Sequence, residues 1–238
     1  MRVITHWMRS LAVVMAVLFA SGLSAQSVNL LTESFENGGT IPANWATENV
    51  SGTNYTSFVS TSSSPTATAA DGTYFVKFES YNASSGVTNR LKTTTASSTI
   101  GKQNVTVNFK WYENASFSSS DDKVVIQWST DGATWADAGS VSRHNAVEGW
   151  KNKVIALPSG ANNIANLYIA FKFVSAYGNN CYLDLAKVDA EPIPATAIIS
   201  GTVTNGITGL PVIGATVRVN NDSIAVTDMA GHYTVKNL

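Results

Sequence analysis

The stretch Asn104-Val-Thr-Val-Asn-Phe-Lys-Trp-Tyr112 sets Val105, Val107, Phe109 and Trp111 on one side and Thr106, Asn108 and Lys110 on the other. A period of two is the pleat of a β-strand with one face buried and one face in water. The alternation recurs in both directions along the chain. Residues 73–79 alternate Tyr74, Val76 and Phe78; residues 123–129 alternate Val124, Ile126 and Trp128; residues 166–174 alternate Leu167, Ile169, Phe171 and Phe173. Residues 181–188 close the series. The separators are rich in Gly, Ser, Asn and Asp, the residues that turn a chain, and Asp131-Gly132 reads as a hairpin pivot. No 3.6-residue apolar repeat is sustained after residue 25. The predicted class is all-β, a two-layer sandwich with Trp111 and Trp128 in its core.

Arg2 and Arg9, the apolar run 11–20 and the small residues 21–25 form a secretory signal peptide pattern, with cleavage after Ala25. Ten apolar residues are too few for a membrane-crossing helix, which needs about 20. The expected product is secreted or held at the cell surface, with no membrane insertion after cleavage. The net charge of −1 is spread evenly, so no basic stripe points to nucleic acid. Cys181 is the only cysteine, which rules out an intrachain disulfide, and it reads as a small buried hydrophobe. Two Ser/Thr-rich segments, 51–70 and 93–99, read as long surface loops. Asp189-Ala-Glu-Pro-Ile-Pro-Ala195 carries two prolines, and 191–196 is expected to link two domains. Beyond it, 197–238 reads as four short strands, half a sandwich.

Two stretches resemble known families. Glu33-Ser-Phe-Glu-Asn-Gly-Gly-Thr-Ile-Pro-Ala-Asn-Trp45 is similar to the opening of choice-of-anchor J and cleaved-adhesin modules of Bacteroidota surface proteins. Asp121-Asp-Lys-Val-Val-Ile-Gln-Trp-Ser-Thr-Asp-Gly-Ala-Thr-Trp135 and Gly178-Asn-Asn-Cys-Tyr-Leu-Asp-Leu185 follow in the same order. The resemblance implies a jelly-roll β-sandwich, MAM-like, over 26–190. It departs at Leu185, where the family pattern has a second acid. Ile199-Ser-Gly-Thr-Val-Thr-Asn-Gly-Ile-Thr-Gly-Leu-Pro-Val-Ile-Gly-Ala-Thr-Val217, with Thr227-Asp-Met-Ala-Gly-His-Tyr-Thr-Val235, resembles the carboxypeptidase regulatory-like domain. That implies an incomplete prealbumin-like (Ig-like) β-sandwich over 197–238, a spacer or interaction unit without catalytic groups.

Candidate sites follow from chemistry and placement. Glu36 lies near the first strand and Asp184 in the last, and such strands often run side by side. The two carboxylates read either as ligands of one structural Ca²⁺, which takes six to eight oxygens, or as solvated polar-face residues. Asp71, Asp121 and Asp122 are lesser candidates. Trp45, Trp135, Trp150 and Tyr177 flank turns, as do Tyr55 and Tyr81, and rings there either grip a ligand or plug the ends of a sandwich. No nucleophile elbow, zinc-binding helix or phosphate loop is present. The expected function is a non-catalytic binding or adhesion module contacting extracellular protein or polysaccharide. The rival readings are a structural spacer and accessory domains of a longer secreted hydrolase.

Overall fold

The computed structural model describes residues 26–194, 198–219 and 223–236. The signal peptide read over 1–25 lies outside them, as do Ala195 and Thr196 of the linker. The described chain forms two compact units that divide after Ile193.

The larger unit contains β1 (Val28–Glu33), β2 (Trp45–Ser51), β3 (Thr56–Val59), β4 (Thr61–Ser62), β5 (Ala67–Thr68), β6 (Phe75–Phe78) and β7 (Thr88–Thr93). It continues through β8 (Lys102–Glu113), β9 (Lys123–Ser129), β10 (Ala136–Ser142), β11 (Gly149–Ala156), β12 (Tyr168–Val174) and β13 (Cys181–Pro192). One sheet runs β11-β8-β13-β6-β3, with β1 also paired to β13; the other runs β10-β9-β12-β7-β2. All pairings are antiparallel, and the two sheets close on each other as a jelly-roll sandwich.

Between the sheets lie the alternating residues of β8, facing Leu91, Val124, Ile126, Ile169, Phe171 and Phe173. Aromatic rings fill the middle: Phe78 stacks on Phe173 at 5.4 Å, and Phe109 meets Phe171 edge-on at 5.3 Å. Rings at these separations attract beyond the area they bury. Cys181 sits in this core, where burial pushes its thiol pKa well up. Trp128 is only half-buried, packed at the margin of the core against Gly160.

The segment 51–70 differs from the surface loop its composition predicts. It contains β3 and a β4–β5 hairpin that folds back as a strap over the outer face of the first sheet. Beneath it runs a row of rings, Phe75, Tyr182, Tyr112 and Trp150, in successive edge contacts of 5.2–5.8 Å. Trp150 Nε1 donates to the Thr68 carbonyl (2.9 Å), and Asn180 Nδ2 donates to Ser63 (3.0 Å). The Tyr182 hydroxyl lies 2.6 Å from the Pro65 carbonyl. Segment 93–99 is likewise built in. Thr99 is buried and its hydroxyl donates to the Ala161 carbonyl at 2.8 Å. Composition misleads at both places because the polar groups of these segments find their partners on distant strands and loops.

Glu191 and Pro192, read as the start of the linker, instead close β13: they pair with Gln103 and Lys102. The smaller unit has β14 (Ile199–Thr202) paired with β17 (His232–Val235), and β15 (Thr216–Val219) paired with β16 (Ser223–Val226). Val235 and Thr227 are buried there, while Ile207 and Met229 stand almost fully exposed.

Candidate functional site

The first and last strands of the sandwich do run side by side, with Glu33 opposite Ala186. This brings Glu36 and Asp184 to one turn, residues 70–74. Glu36 Oε1 accepts from the amides of Thr73 and Tyr74 at 2.8 and 2.7 Å. Asp184 Oδ2 accepts from Ala70 and Asp71 at 2.8 and 2.9 Å, and its Oδ1 from Leu185 at 2.8 Å. Gly72, at φ +67°, is needed between them, since a Cβ there would stand 2.5 Å from the Glu36 carboxyl carbon. Asp184 is fully buried, and among the described ion pairs none includes it. Desolvation lifts its pKa to about 6 against the pull of those three amides, with the charge of Asp71 adding to the rise. Among the described residues, no three His, Cys, Asp or Glu side chains gather as a metal-holding group.

Trp45, Trp150, Trp135 and Tyr177 occupy four different places, and Tyr55 is half-buried against the core. Trp45 is 4 % exposed and packs between Phe35 and Phe171, so its ring is core. Trp150 lies under the strap. Trp135 is half-buried with the Arg90 guanidinium 5.3 Å from its ring centre, a cation–π contact. Tyr177 alone stands out into solvent, 62 % exposed.

Tyr177 has company in Tyr81, a second turn-flanking ring, and in Phe117, which the sequence did not single out. Tyr81 and Phe117, 46 % and 45 % exposed, meet edge-on at 6.0 Å. With Asn82 and Gly178 the three rings line a recess of about 180 Å³ at one end of the sandwich. Each ring stands on a different loop, and one buried ion pair ties all three loops together. Arg143 Nε donates to Asp122 Oδ2 at 3.1 Å, and both side chains are wholly buried. Asp122 Oδ1 accepts from the Ser80 hydroxyl and from the amides of Ala176 and Gly178 (2.7 and 3.2 Å). The other guanidinium nitrogens of Arg143 donate to the carbonyls of Ser116 (3.0 Å) and Phe117 (3.3 Å). The Tyr81 amide donates to Asn180 Oδ1 at 3.1 Å. A Cβ on Gly178 would fall 2.0 Å from Asp122 Oδ2, so only glycine fits beside the pair.

The backbone is strained at this end. Phe117 and Tyr177 adopt φ of 54° and 59°, left-handed values rare for bulky residues. Each costs on the order of 1–3 kcal/mol and persists only where surrounding contacts over-determine it. Here the Asp122–Arg143 pair supplies those contacts. Asp121, its neighbour in sequence, is exposed and pairs with Lys123 (2.6 Å). Asp122 is therefore a structural anion with a guanidinium partner, not the lesser metal candidate that its position beside Asp121 had made it.

Comparison with known proteins follows the fold. A family model described as Cleaved Adhesin Domain matches residues 28–190. The solved K2 cleaved adhesin domain of Lys-gingipain is 19% identical, covering 66% of this chain and 96% of that one, with a TM-score of 0.51. The K3 domain of Lys-gingipain from Porphyromonas gingivalis is 20% identical over 68% of this chain and 98% of that chain, with a TM-score of 0.48. TmCBM61, solved in complex with β-1,4-galactotriose, is 17% identical over 66% of this chain and 94% of that chain, with a TM-score of 0.47. Among curated proteins there is no match to this chain.

Proposed function

Because this chain belongs to the Cleaved Adhesin Domain family, a non-catalytic adhesion or binding module, we propose that it grips an extracellular protein or glycan through Tyr81, Phe117 and Tyr177. The observation that carries this reading is three exposed rings on three loops held by one buried ion pair. Exposed aromatics on fixed supports supply contact area without ordering cost. The whole chain should be retained on at least one member of a panel of extracellular matrix proteins and polysaccharides. Replacing Tyr81 and Tyr177 together by Ala should abolish that retention. Retention that survives the double change, or none by the parent, would sink the proposal.

The finer reading is an exported Bacteroidota-type surface protein, its leader at 1–25 and its sandwich of the choice-of-anchor J kind. Residues 197–238 then serve as a carboxypeptidase regulatory-like spacer. Its support is the motif order in the sequence.

Calcium belongs to the same proposal. Glu36 and Asp184 would hold the ion beside turn 70–74, with backbone carbonyls completing its shell. Supporting this is the buried Asp184 carboxylate, which has no cationic partner among the described ion pairs. The pH dependence tests it. Without calcium, folded Asp184 keeps a proton up to about pH 6, while the unfolded chain releases it near the ordinary 3.8. The stability it contributes is therefore present below pH 4 and lost as pH rises through 6, on the order of 3 kcal/mol. In EDTA, Asp184→Asn should gain on the parent in melting temperature across that window. Added Ca²⁺ should stabilise the parent above pH 6 and leave Asp184→Asn unmoved. Melting curves indifferent to Ca²⁺ at every pH would end the calcium reading.

A further inference from the structure

Resting on the loop-end reading above, we propose that the recess between Tyr81, Phe117 and Tyr177 seats a neutral sugar ring, one pyranose unit of an uncharged glycan. Its lining carries the argument. Tyr81, Asn82, Phe117, Tyr177 and Gly178 enclose about 180 Å³, and none of them is charged. The charged side chains on the same loops are already engaged. Asp122 is paired with Arg143, Asp121 with Lys123, and Glu79 with Lys77 and the Asn82 amide. A ligand carrying carboxylate, sulfate or ammonium would lose hydration there and find no counter-charge.

The recess offers ring faces and neutral hydrogen-bonding groups: two phenols and the Asn82 side chain. A pyranose has the matching chemistry, a C–H face to lie on an aromatic ring and a rim of hydroxyls that donate and accept. Size agrees. The recess is smaller than the roughly 300–1,000 Å³ of pockets that enclose drug-sized molecules, so it holds a single ring. A stable protein partner needs an interface of about 1,000 Å², extending far beyond these rings onto Ser- and Asn-rich loops. The pinned loops also set the three rings in place before a ligand arrives, which suits a small rigid one. Anionic ligands have a different place to go. A recess of about 270 Å³ on the outer face of the first sheet is lined by Lys110 and Lys187, with Lys153 beside them paired to Glu113.

Electrophoresis of the whole chain through gels containing glucan, xylan, galactan or mannan tests the assignment, with heparin and polygalacturonate as anionic probes. At least one neutral polysaccharide should retard the chain, and about 0.5 M NaCl should leave the retardation unchanged. Tyr177→Gly and Tyr81→Ala should each weaken it about tenfold or more. Tyr177→Gly keeps a residue at ease at φ +59°, so its melting temperature should equal or exceed the parent's while binding is lost; a ring that only plugged the fold would lower both. The assignment is overturned if no neutral polysaccharide retards the chain, or if retardation ignores both tyrosine variants. It is equally overturned if only the polyanions bind, in a salt-sensitive way that Lys110→Ala and Lys187→Ala abolish. Retention on matrix proteins through Tyr81 and Tyr177, without any neutral glycan, would overturn the sugar assignment and leave the loop-end reading standing. Loss of ring-dependent binding to both classes would remove the two together.

Discussion

Asp122→Ala should destabilise the sandwich by about 3–5 kcal/mol, the cost of leaving one member of a buried ion pair without its partner. Arg143 is wholly buried, and the substitution leaves its charge with only backbone carbonyls. The same change removes the acceptor for Ser80, Ala176 and Gly178. Calorimetry should show a fall in melting temperature on the order of 10 °C, together with loss of ligand binding as the three loops come apart. Asp121→Ala is the control: its pair with Lys123 is at the surface and worth about 1 kcal/mol or less. Adding Arg143→Leu to Asp122→Ala should cost less than the two single changes combined, because the stranded charge is gone. Equal melting temperatures for Asp122→Ala and Asp121→Ala would show that the buried pair is not what holds this end.

Trp45→Ala should cost about 3–5 kcal/mol, the range for deleting a large buried ring. Its indole lies 5.6 Å from Phe35 and 6.1 Å from Phe171, between β2 and the middle of the core. Binding measured well below the new melting point should match the parent. A variant that melts normally yet fails to bind would return Trp45 to the list of ligand contacts and contradict its place in the core.

The strands were readable where one face is buried and the other wet. β8 shows this, with Val105, Val107, Phe109 and Trp111 buried at every second position, whereas β9 and β12 are buried on both faces, at Val125, Gln127 and Ala170 as well. The adjacency of the first and last strands was readable too, and it placed Glu36 and Asp184 on one turn. β2, β10 and β11 gave weaker signals, since edge strands such as β10 carry Asp137, Gly139 and Ser140 with little apolar alternation. The aromatic row under the strap hid for a related reason. Tyr112 and Tyr182 occupy the positions that alternation assigns to water, and nothing local announces that another segment covers them. The loop-end site was legible in Tyr81 and Tyr177, both beside turns, and not in Phe117 or the ion pair behind them. Phe117 sits in Ser116-Phe-Ser-Ser-Ser120, a Ser-rich run with no periodicity to say what its one ring does. Asp122 and Arg143 lie 21 residues apart and meet across the β9–β10 hairpin, one step beyond the Lys123–Ser142 pair. Pattern along a chain reports local burial; it does not report which distant charge will share a cavity.

The strap over the first sheet is held chiefly through its carbonyls, at Ser63, Pro65, Thr66 and Thr68. A carbonyl is common to every amino acid, so the clamps provided by Asn180, Tyr182, Tyr112 and Trp150 place little demand on what the strap's own side chains are. Ser60, Thr61, Ser63, Thr66 and Thr68 all face solvent. These five positions form a surface that can drift freely, or be randomised in a library, without disturbing the scaffold beneath, so the domain carries a ready-made canvas for new recognition.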